Sequence, residues 1–359
     1  MYNFRKEVFS DLMAKGYRVC VCSPFDKVFS RKLQDLGCEV HSVALAAKGV
    51  NPLEDLSLTF KLLALFLKLK PDFIFCYTIK PNIYGSFAAF LANIPSIAIT
   101  TGLGYSFLNK NFISWLVKIL YKIALKFPKE VWFLNQDDLD TFLQQKLLIP
   151  NKAKILKSEG VNLDDFALVS GSIEKKAGQV SFLLSARLLW DKGVGEFVEA
   201  AKKIKRQYPQ TRFALLGFMG SDNPSAIPEY VVKKWVAEGE VEYLGSTDNV
   251  KACMQNFDCI CLPSYREGVP RSLLEGAAMG KILITTDAVG CRETVDDNIT
   301  GFLCEVKDSV SLAECMKKVI NMSEEERIKM GCAGRKKMQQ EFDVNYILAH
   351  YSNTLTHYL

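Results

Sequence analysis

Four charged side chains carry the most chemical information in this sequence. Glu267 and Glu275 close a run of ten residues, Arg266-Glu267-Gly268-Val269-Pro270-Arg271-Ser272-Leu273-Leu274-Glu275, that follows the apolar stretch Cys259 to Pro263. Gly268 and Pro270 favour a tight turn, and Ser272 is placed to cap a helix beginning after it. The first backbone N–H groups of such a helix, together with its dipole, suit an anionic diphosphate. Gly268, Val269, Pro270, Arg271 and Ser272 would form that seat. Glu275, one turn further, leans back toward the helix start. Its carboxylate can accept hydrogen bonds from two neighbouring hydroxyls, as a ribose presents them. Glu267, in the loop itself, is placed to meet sugar hydroxyls.

The two basic residues stand in Ser185-Ala186-Arg187-Leu188-Leu189-Trp190-Asp191-Lys192-Gly193, at the end of another apolar run. Arg187 offers a planar fork and Lys192 a point charge, the two complementary ways of holding phosphate oxygens. A departing nucleoside diphosphate gathers negative charge in the transition state, which fixed cations and helix dipoles can stabilise without a metal. Each motif alone is common on solvated surfaces. Their combination at successive strand–loop–helix junctions is what is specific.

Positioning these loops requires parallel sheets. Both halves alternate short β-rich runs with helical patterns, which predicts two units of helix-covered parallel sheet. Strands are expected at Arg18 to Ser23, Val40 to Val43, Phe73 to Tyr77, Ser96 to Thr100 and Glu130 to Leu134 in the first half. The second half offers Ser181 to Ala186, Phe213 to Gly217, Val241 to Gly245, Cys259 to Pro263, Ile282 to Thr285 and Gly301 to Cys304. The polar stretch Ala167 to Gly178 reads as a linker, giving domains of residues 1–166 and 167–339. A last helix, about 340–359, is free to pack back on the first domain. The expected ligand cleft lies at the carboxyl ends of both sheets. Doubly wound domains normally open with a strand and a tight loop, yet this sequence opens in a helix, Tyr2 to Lys15. A strand and loop upstream are therefore expected.

The stretch from Val180 to Leu303 resembles the nucleotide-sugar-binding domain of glycosyltransferase family 4, retaining enzymes of the GT-B fold. Glu267 and Glu275 match its paired-glutamate motif, and Arg187 and Lys192 its basic pair. The run Asp287-Ala288-Val289-Gly290-Cys291-Arg292-Glu293-Thr294-Val295 is similar to the family's pattern, as is Gly160-Val161-Asn162. Tyr77 to Gly85 and Thr101 to Tyr105 resemble a bacterial subgroup that builds O-antigen, capsule and lipid-linked oligosaccharides, often from UDP-N-acetylhexosamines. The resemblance implies an α/β GT-B fold of two Rossmann-like domains facing across a cleft, the first lacking its initial strand. It implies a metal-independent hexosyltransferase, with Glu267, Arg187 and Lys192 catalytic and Glu275 and the 268–272 seat holding a UDP-sugar co-substrate. No separate cofactor is implied. The acceptor would be undecaprenyl-diphosphate-linked or another saccharide. Same-face attack, with the donor phosphate assisting deprotonation, is the mechanism usual for such enzymes. Two departures stand out: the glycine loop usual at the start is absent, and no His lies between His41 and His350. Lys80, Gly102 and Gly104 are the nearest acceptor-side residues.

Composition sets the outer bounds. A chain of 359 residues with 49% hydrophobic and 24% charged content is globular and long enough for two cores. Residues 1–160 hold 21 Lys+Arg against 13 Asp+Glu, and the remainder 24 against 27. So basic a first half expects an anionic or phosphate-rich partner. Lys118, Lys122, Lys126 and Lys129 recur at helical spacing between Phe112 and Lys129, opposite Trp115, Leu116, Ile119, Ile123 and Phe127. That pattern fits either a helix covering the sheet or one resting on anionic lipid. The expected place is the cytoplasm, peripheral on the inner membrane face. Eleven cysteines, with Cys20/Cys22 and Cys259/Cys261 two apart, read as small core residues in a reducing compartment. A zinc site is disfavoured because His41, His350 and His357 are not expected near the cysteine pairs. A nicotinamide oxidoreductase would need a G-x-G-x-x-G turn, and Gly193-Val194-Gly195 and Gly102-Leu103-Gly104 both lack the third Gly. A nucleic-acid-reading module is not recognisable. An inactive or truncated nucleotide-sugar-binding homologue stays open as the alternative to an enzyme.

Overall fold

The computed structural model describes residues 2–44, 52–103, 112–168, 179–220 and 223–359. Gly104 and the linker stretch from residue 169 to 178 lie outside the described residues. The chain forms two compact units, Met1–Glu159 with Val344–Leu359 and Gly160–Asp343. The boundary thus falls at Glu159–Gly160 and again at Asp343–Val344, where the sequence placed it after 166 and 339.

The first unit begins with α1 (Tyr2–Ala14), β1 (Cys20–Ser23), α2 (Lys27–Asp35) and β2 (Glu39–Ser42). It continues through α3 (Pro52–Leu69), β3 (Ile74–Tyr77), a wide turn at Pro81–Gly85, α4 (Ser86–Leu91) and β4 (Ser96–Thr100). Then follow α5 (Phe112–Ala124), β5 (Glu130–Phe133), α6 (Gln136–Gln144) and β6 (Ala153–Ile155). The sequence reading missed β6, three residues of mixed polarity at a sheet edge. Strands β3-β4-β5-β6 form one parallel sheet, while β1 and β2 pair only with each other among the described residues. Strand β4 is buried along its whole length, so its five residues read as an unbroken apolar-to-small run rather than an alternation. The final helix of the chain, Val344–Tyr358, belongs to this unit: Tyr351 sits against Phe75 and Trp132 and bonds the Tyr77 hydroxyl at 2.9 Å.

The second unit carries β7 (Ser181–Ser185), α7 (Val194–Gln207), β8 (Arg212–Leu216), α8 (Glu229–Ala237) and β9 (Glu242–Tyr243). After α9 (Val250–Met254) come β10 (Cys259–Leu262), α10 (Arg271–Ala278), β11 (Ile282–Thr286) and β12 (Gly301–Cys304). Helices α11 (Ser309–Asn321) and α12 (Glu324–Lys337) complete it, making Val344–Tyr358 α13. All six strands are parallel, in the order β12-β11-β10-β7-β8-β9. Phe182 and Leu184 turn to the face covered by α7 and α11, alongside Cys259 and Cys261. Gly276 of α10 lies over Ile260 on the other face, where a Cβ would come within 2.7 Å of that side chain. Asp308 caps α11 through Val310 and Ser311, and Ser323 with Glu326 forms a capping box on α12.

Two expectations need correction. The lysine-bearing helix α5 ends at Ala124, so Lys126 and Lys129 lie beyond it and share no helical face with Lys118 and Lys122. Its inward stripe is Ser114, Val117, Tyr121 and Ala124, leaving Trp115 and Ile123 exposed. The helix after Glu267 is capped two residues earlier than expected, at Pro270 rather than Ser272, and starts at Arg271 with Pro270 in the extended cap conformation and no side-chain cap. Ser272 is therefore inside the first turn, where its hydroxyl cannot serve as cap.

Candidate active site

In the second unit the chain order reverses between two neighbours. From β7 the chain steps outward through β8 and β9, then returns to β10 on the other side of β7. The loops leaving the carboxyl ends of β7 and β10 diverge from this point, where open parallel sheets hold ligands. The first carries Arg187 and Lys192, the second Glu267 and the start of α10.

These loops are joined by side chains. Lys192 Nζ lies 2.5 Å from Glu267 Oε1, with 18% and 14% of the two side chains exposed. Ser264 Oγ donates to the Asp191 carbonyl at 3.1 Å, and Tyr265 N–H to the same oxygen at 2.9 Å. Tyr265 Oη donates to Glu196 Oε1 at 2.6 Å, reaching into α7. Burial and that carboxylate push the Tyr265 phenol well above its ordinary range, so it is a donor at neutral pH.

Backbone packing sets the loop heights. Gly193 has φ +72° and opens α7, and a Cβ there would lie 2.0 Å from the Pro263 carbonyl oxygen. Gly290, φ +80°, lies so close beneath the other loop that a Cβ would meet Glu267 O at 2.3 Å and Gly268 O at 2.4 Å. Glu267 N–H donates to Val289 O at 2.9 Å, so the Asp287–Val295 run acts as a floor under Glu267. Cys291 in that floor is pushed up to about 12 by burial, then by the Glu267 carboxylate, and stays a thiol.

Glu275 leans back along α10, as its position predicts, and Arg271 Nε donates to its Oε1 at 2.8 Å. Both side chains are largely buried. Arg187 is exposed and makes no ion pair among the described residues. The Ser272 N–H and hydroxyl have no hydrogen-bond partner among the described residues. The site therefore presents the exposed Arg187 guanidinium and the Ser272 amide beside two carboxylates already held by cations, while the Leu273 and Leu274 N–H groups are taken up by Pro270 O.

The acceptor-side residues are placed differently. Lys80 follows β3 and Gly102, φ +136°, follows the adjacent β4, so both stand at carboxyl ends of the first unit's sheet. Lys80 Nζ is held 2.9 Å from Asp55 Oδ1, and Tyr84 Oη donates to Asp55 Oδ2 at 2.7 Å. Asp55 was not singled out in the sequence, since a carboxylate on an amphipathic helix gives no sign of burial.

All eleven cysteines are free thiols, and seven are buried. Cys259 and Cys261 lie with sulfurs 3.8 Å apart in the core. One histidine expectation is overturned: parallel pairing of β1 with β2 sets Cys20 opposite Glu39 and Cys22 opposite His41. The ligand atoms of Cys20, Glu39 and His41 lie within 4.8 Å of one another. Sequence distance concealed this because the cluster depends on strand register. Arg18 also reaches Glu39, at 3.7 Å.

Known proteins show the same organisation. The family model for glycosyl transferases group 1 matches residues 167–337, and that for glycosyl transferase 4-like matches residues 2–135. The N,N'-diacetylbacillosaminyl-diphospho-undecaprenol alpha-1,3-N-acetylgalactosaminyltransferase of Campylobacter jejuni is 31% identical, over 98% of this chain and 94% of that protein. The UDP-Gal:alpha-D-GlcNAc-diphosphoundecaprenol alpha-1,3-galactosyltransferase of Escherichia coli is 24% identical, over 77% of this chain and 73% of that protein. The crystal structure of Anabaena Alr3699/HepE in complex with UDP superimposes with a TM-score of 0.78 at 20% identity, covering 98% of this chain and 96% of that one. The fold is that of the GT-B glycosyltransferases. With the paired glutamates, the basic pair and both halves of the family pattern in place, this chain is a glycosyltransferase of the family that includes the bacterial enzymes of lipid-linked O-antigen and capsule assembly.

Proposed function

We propose that this chain moves a hexosyl or N-acetylhexosaminyl group from a UDP-sugar to an undecaprenyl-diphosphate-linked or other saccharide acceptor, with retention at the anomeric carbon. The observation that carries this reading is the Lys192–Glu267 pair at the switch point, beside the exposed Arg187 and the first turn of α10. Arg187 and the Ser272 amide suit the diphosphate, Glu275 the ribose, and Glu267 the hydroxyls of the transferred sugar. The bond between C1 and the diphosphate oxygen breaks, its electron pair leaving with UDP under stabilisation by Arg187 and Lys192. The acceptor oxygen bonds C1 on the same face, and its proton passes to the departing phosphate oxygen. Fixed cations supply the charge stabilisation, so transfer needs no divalent metal. The names of the Campylobacter and E. coli relatives, one an N-acetylgalactosaminyltransferase and one a UDP-Gal enzyme with a diphosphoundecaprenol acceptor, support the donor and acceptor classes.

The reading places the enzyme on the cytoplasmic membrane's inner face. No helix among the described residues is long and apolar enough to cross a membrane, and a peripheral contact suits a lipid-linked acceptor. The test is a panel of UDP-sugars with a synthetic undecaprenyl-diphosphate saccharide, in EDTA. Product should form with one or two donors, and Arg187→Ala and Glu275→Ala should each abolish it while circular dichroism stays unchanged. Donor binding without any transfer would support the non-catalytic alternative, and wild-type turnover by either variant would overturn the site assignment.

A further inference from the structure

Parallel pairing of β1 with β2 gathers three unlike metal-binding side chains on one face of that pair. Cys20 stands opposite Glu39, and His41 follows Glu39 by two positions, so alternation turns all three the same way. The Glu39 carboxylate lies between the other two. The Cys20 thiol donates to its Oε2 at 3.5 Å, and His41 Nε2 is 3.0 Å from its Oε1. The sulfur, nitrogen and carboxylate oxygen all lie within 4.8 Å of one another. No other three His, Cys, Asp or Glu side chains converge in this way among the described residues. The neighbouring thiols are engaged elsewhere: Cys22 packs against the cluster of Leu62 and Phe66, and Cys38 is buried with Val21 and Leu33.

The spacing suits a small tetrahedral cation. Zinc bonds of about 2.3 Å to sulfur and about 2.0–2.1 Å to nitrogen or oxygen set tetrahedral ligands about 3.3–3.6 Å apart. Two edges of the cluster, at 3.5 and 3.0 Å, are already close to that spacing. The third, between Cys20 and His41, has to close by little more than about 1 Å from its 4.8 Å limit, within the reach of side-chain rotation. The charges balance as well, since a thiolate and a carboxylate cancel a divalent cation and a neutral imidazole adds none. Sulfur with nitrogen and one oxygen is a donor set for zinc, whereas magnesium and calcium take oxygen alone. The His41 and Glu39 side chains are 25% and 44% exposed, so an ion reaches them from solvent and water can complete its fourth position. Arg18 is the competing cation. Its guanidinium lies 3.7 Å from Glu39 on a side chain 70% exposed, a solvated surface pair that an ion can displace.

We propose that Cys20, Glu39 and His41 form a zinc site, with Cys20 bound as thiolate, Glu39 through one oxygen and His41 through Nε2, its ring proton on Nδ1. On binding, the thiol proton passes to solvent, and bonds to the ion replace the contacts that Cys20 and His41 make with Glu39. The ligands come from both strands, so the ion pins the register of a pair only four residues long. A slip of one residue would turn Glu39 and His41 to the other face. The ion acts on the stability of the first unit and not on sugar transfer. Arg18, leading into β1, donates to the Leu69 carbonyl just before β3 at 3.5 Å, so the amino ends of these two strands lie side by side. Cys20 and Glu39 open their strands at that end, whereas Lys80 and Gly102 stand at the carboxyl ends of β3 and β4.

The test uses the tag-free 359-residue chain under reducing conditions, titrated calorimetrically with zinc and spectroscopically with cobalt as its coloured substitute. One ion should bind, and cobalt should show a thiolate charge-transfer band in the near ultraviolet. Cys20→Ser, Glu39→Gln and His41→Gln should each weaken zinc binding by about 100-fold, through the loss of one ligand in three. Cys20→Ser should also abolish the band. Arg18→Ala, which removes the competing charge from an exposed position, should tighten binding several-fold. Cys332→Ser is the control, because Cys332 is an exposed thiol far along the sequence and should change nothing. Zinc should slow alkylation of Cys20 but not of Cys332, with EDTA reversing the effect, and should raise Tm in the wild type but not in Cys20→Ser. Wild-type affinity in Cys20→Ser or His41→Gln, or a band lost with Cys332→Ser instead, would overturn the proposal. Weaker binding by Arg18→Ala would overturn it too, and that variant decides the matter should Cys20→Ser fail to fold. Binding that leaves the wild-type Tm unchanged would refute the pinning role. None of these readouts depends on transfer activity, so they stand or fall apart from the donor assignment.

Discussion

Lys192 and Glu267 are separated by 75 positions and meet at 2.5 Å, tying the loop after β7 to the loop after β10. In the proposed site, a lysine held by that partner would stabilise the leaving diphosphate without drifting. Removing either residue leaves the other charge misplaced, and the two losses should not add. Lys192→Ala and Glu267→Ala should each lower kcat by about 10²–10³, with the double variant little worse than the poorer single one. Steady-state kinetics at saturating donor check this. Losses that multiply would mean the residues act independently.

Arg271 holds Glu275 from one turn away. In the proposed site it would be a positioning residue, acting through the carboxylate proposed to hold the ribose. Arg271→Gln should raise the donor KM by about tenfold with a small change in kcat, since one charge-assisted hydrogen bond to a binding group is lost. Isothermal titration with UDP gives the same comparison without chemistry. A fall in kcat at unchanged KM would instead place Arg271 on the reacting centre.

The placement of the paired glutamates and of Lys192 on a loop and a helix start was legible, because such residues stand in local order after an apolar strand. Eleven of the twelve strands among the described residues were legible too, since buried parallel strands are short apolar runs of the Ile74–Tyr77 or Cys259–Leu262 kind. What stayed hidden depends on register and long-range contact. Asp55 under Lys80, and His41 beside Cys20, are brought in by elements whose relative placement no local pattern encodes. The cap of the helix starting at Arg271 was misplaced by two residues because a proline can itself adopt the extended cap geometry, leaving Ser272 without that task. The end of α5 at Ala124 was missed for a different reason. Lysine spacing continued past the point where Leu125 turns into the core.

Gly290 sits where any side chain would strike the Glu267 and Gly268 carbonyls. Gly290→Ala must either shift the loop or strain the left-handed backbone, at a cost on the order of 1–3 kcal/mol. A lower Tm together with a kcat loss resembling that of Glu267→Ala is expected. A variant of normal stability and rate would show that the floor yields without moving Glu267.

His350 on α13 packs edge-on against Trp132, ring centroids 4.5 Å apart. Burial lowers its pKa below the usual 6.5, with Lys154 acting the same way and Glu130 opposing. A histidine depressed in the folded state binds fewer protons there than in the unfolded chain. Its contribution is therefore complete above the unfolded value and is lost as pH falls from about 6.5 toward the folded value. Chemical denaturation of the wild type and of His350→Phe between pH 7.5 and 5 should show a shallower loss in the variant. Parallel curves would remove His350 from the acid limb.

The proposed acceptor class would require work at a membrane surface, and the first unit has a patch with suitable chemistry. Phe90 of α4 is 54% exposed, beside Phe87 and Leu91, and Phe127 stacks on it at 4.3 Å. Exposed Trp115 and Ile123 of α5 belong to the same unit, with Lys122, Lys126 and Lys129 also in water. Aromatic rings flanked by lysines can insert at the headgroup level while the cations attract anionic lipid. Phe90→Asp should reduce co-sedimentation with phosphatidylglycerol vesicles several-fold and leave transfer to a short water-soluble acceptor unchanged. Raising salt should weaken wild-type binding to those vesicles, because part of the attraction is screened. Were Phe90→Asp to bind vesicles as tightly as the wild type, the patch would not be the membrane contact. Were it to lose activity on the soluble acceptor as well, Phe90 would be serving the acceptor site rather than the lipid surface.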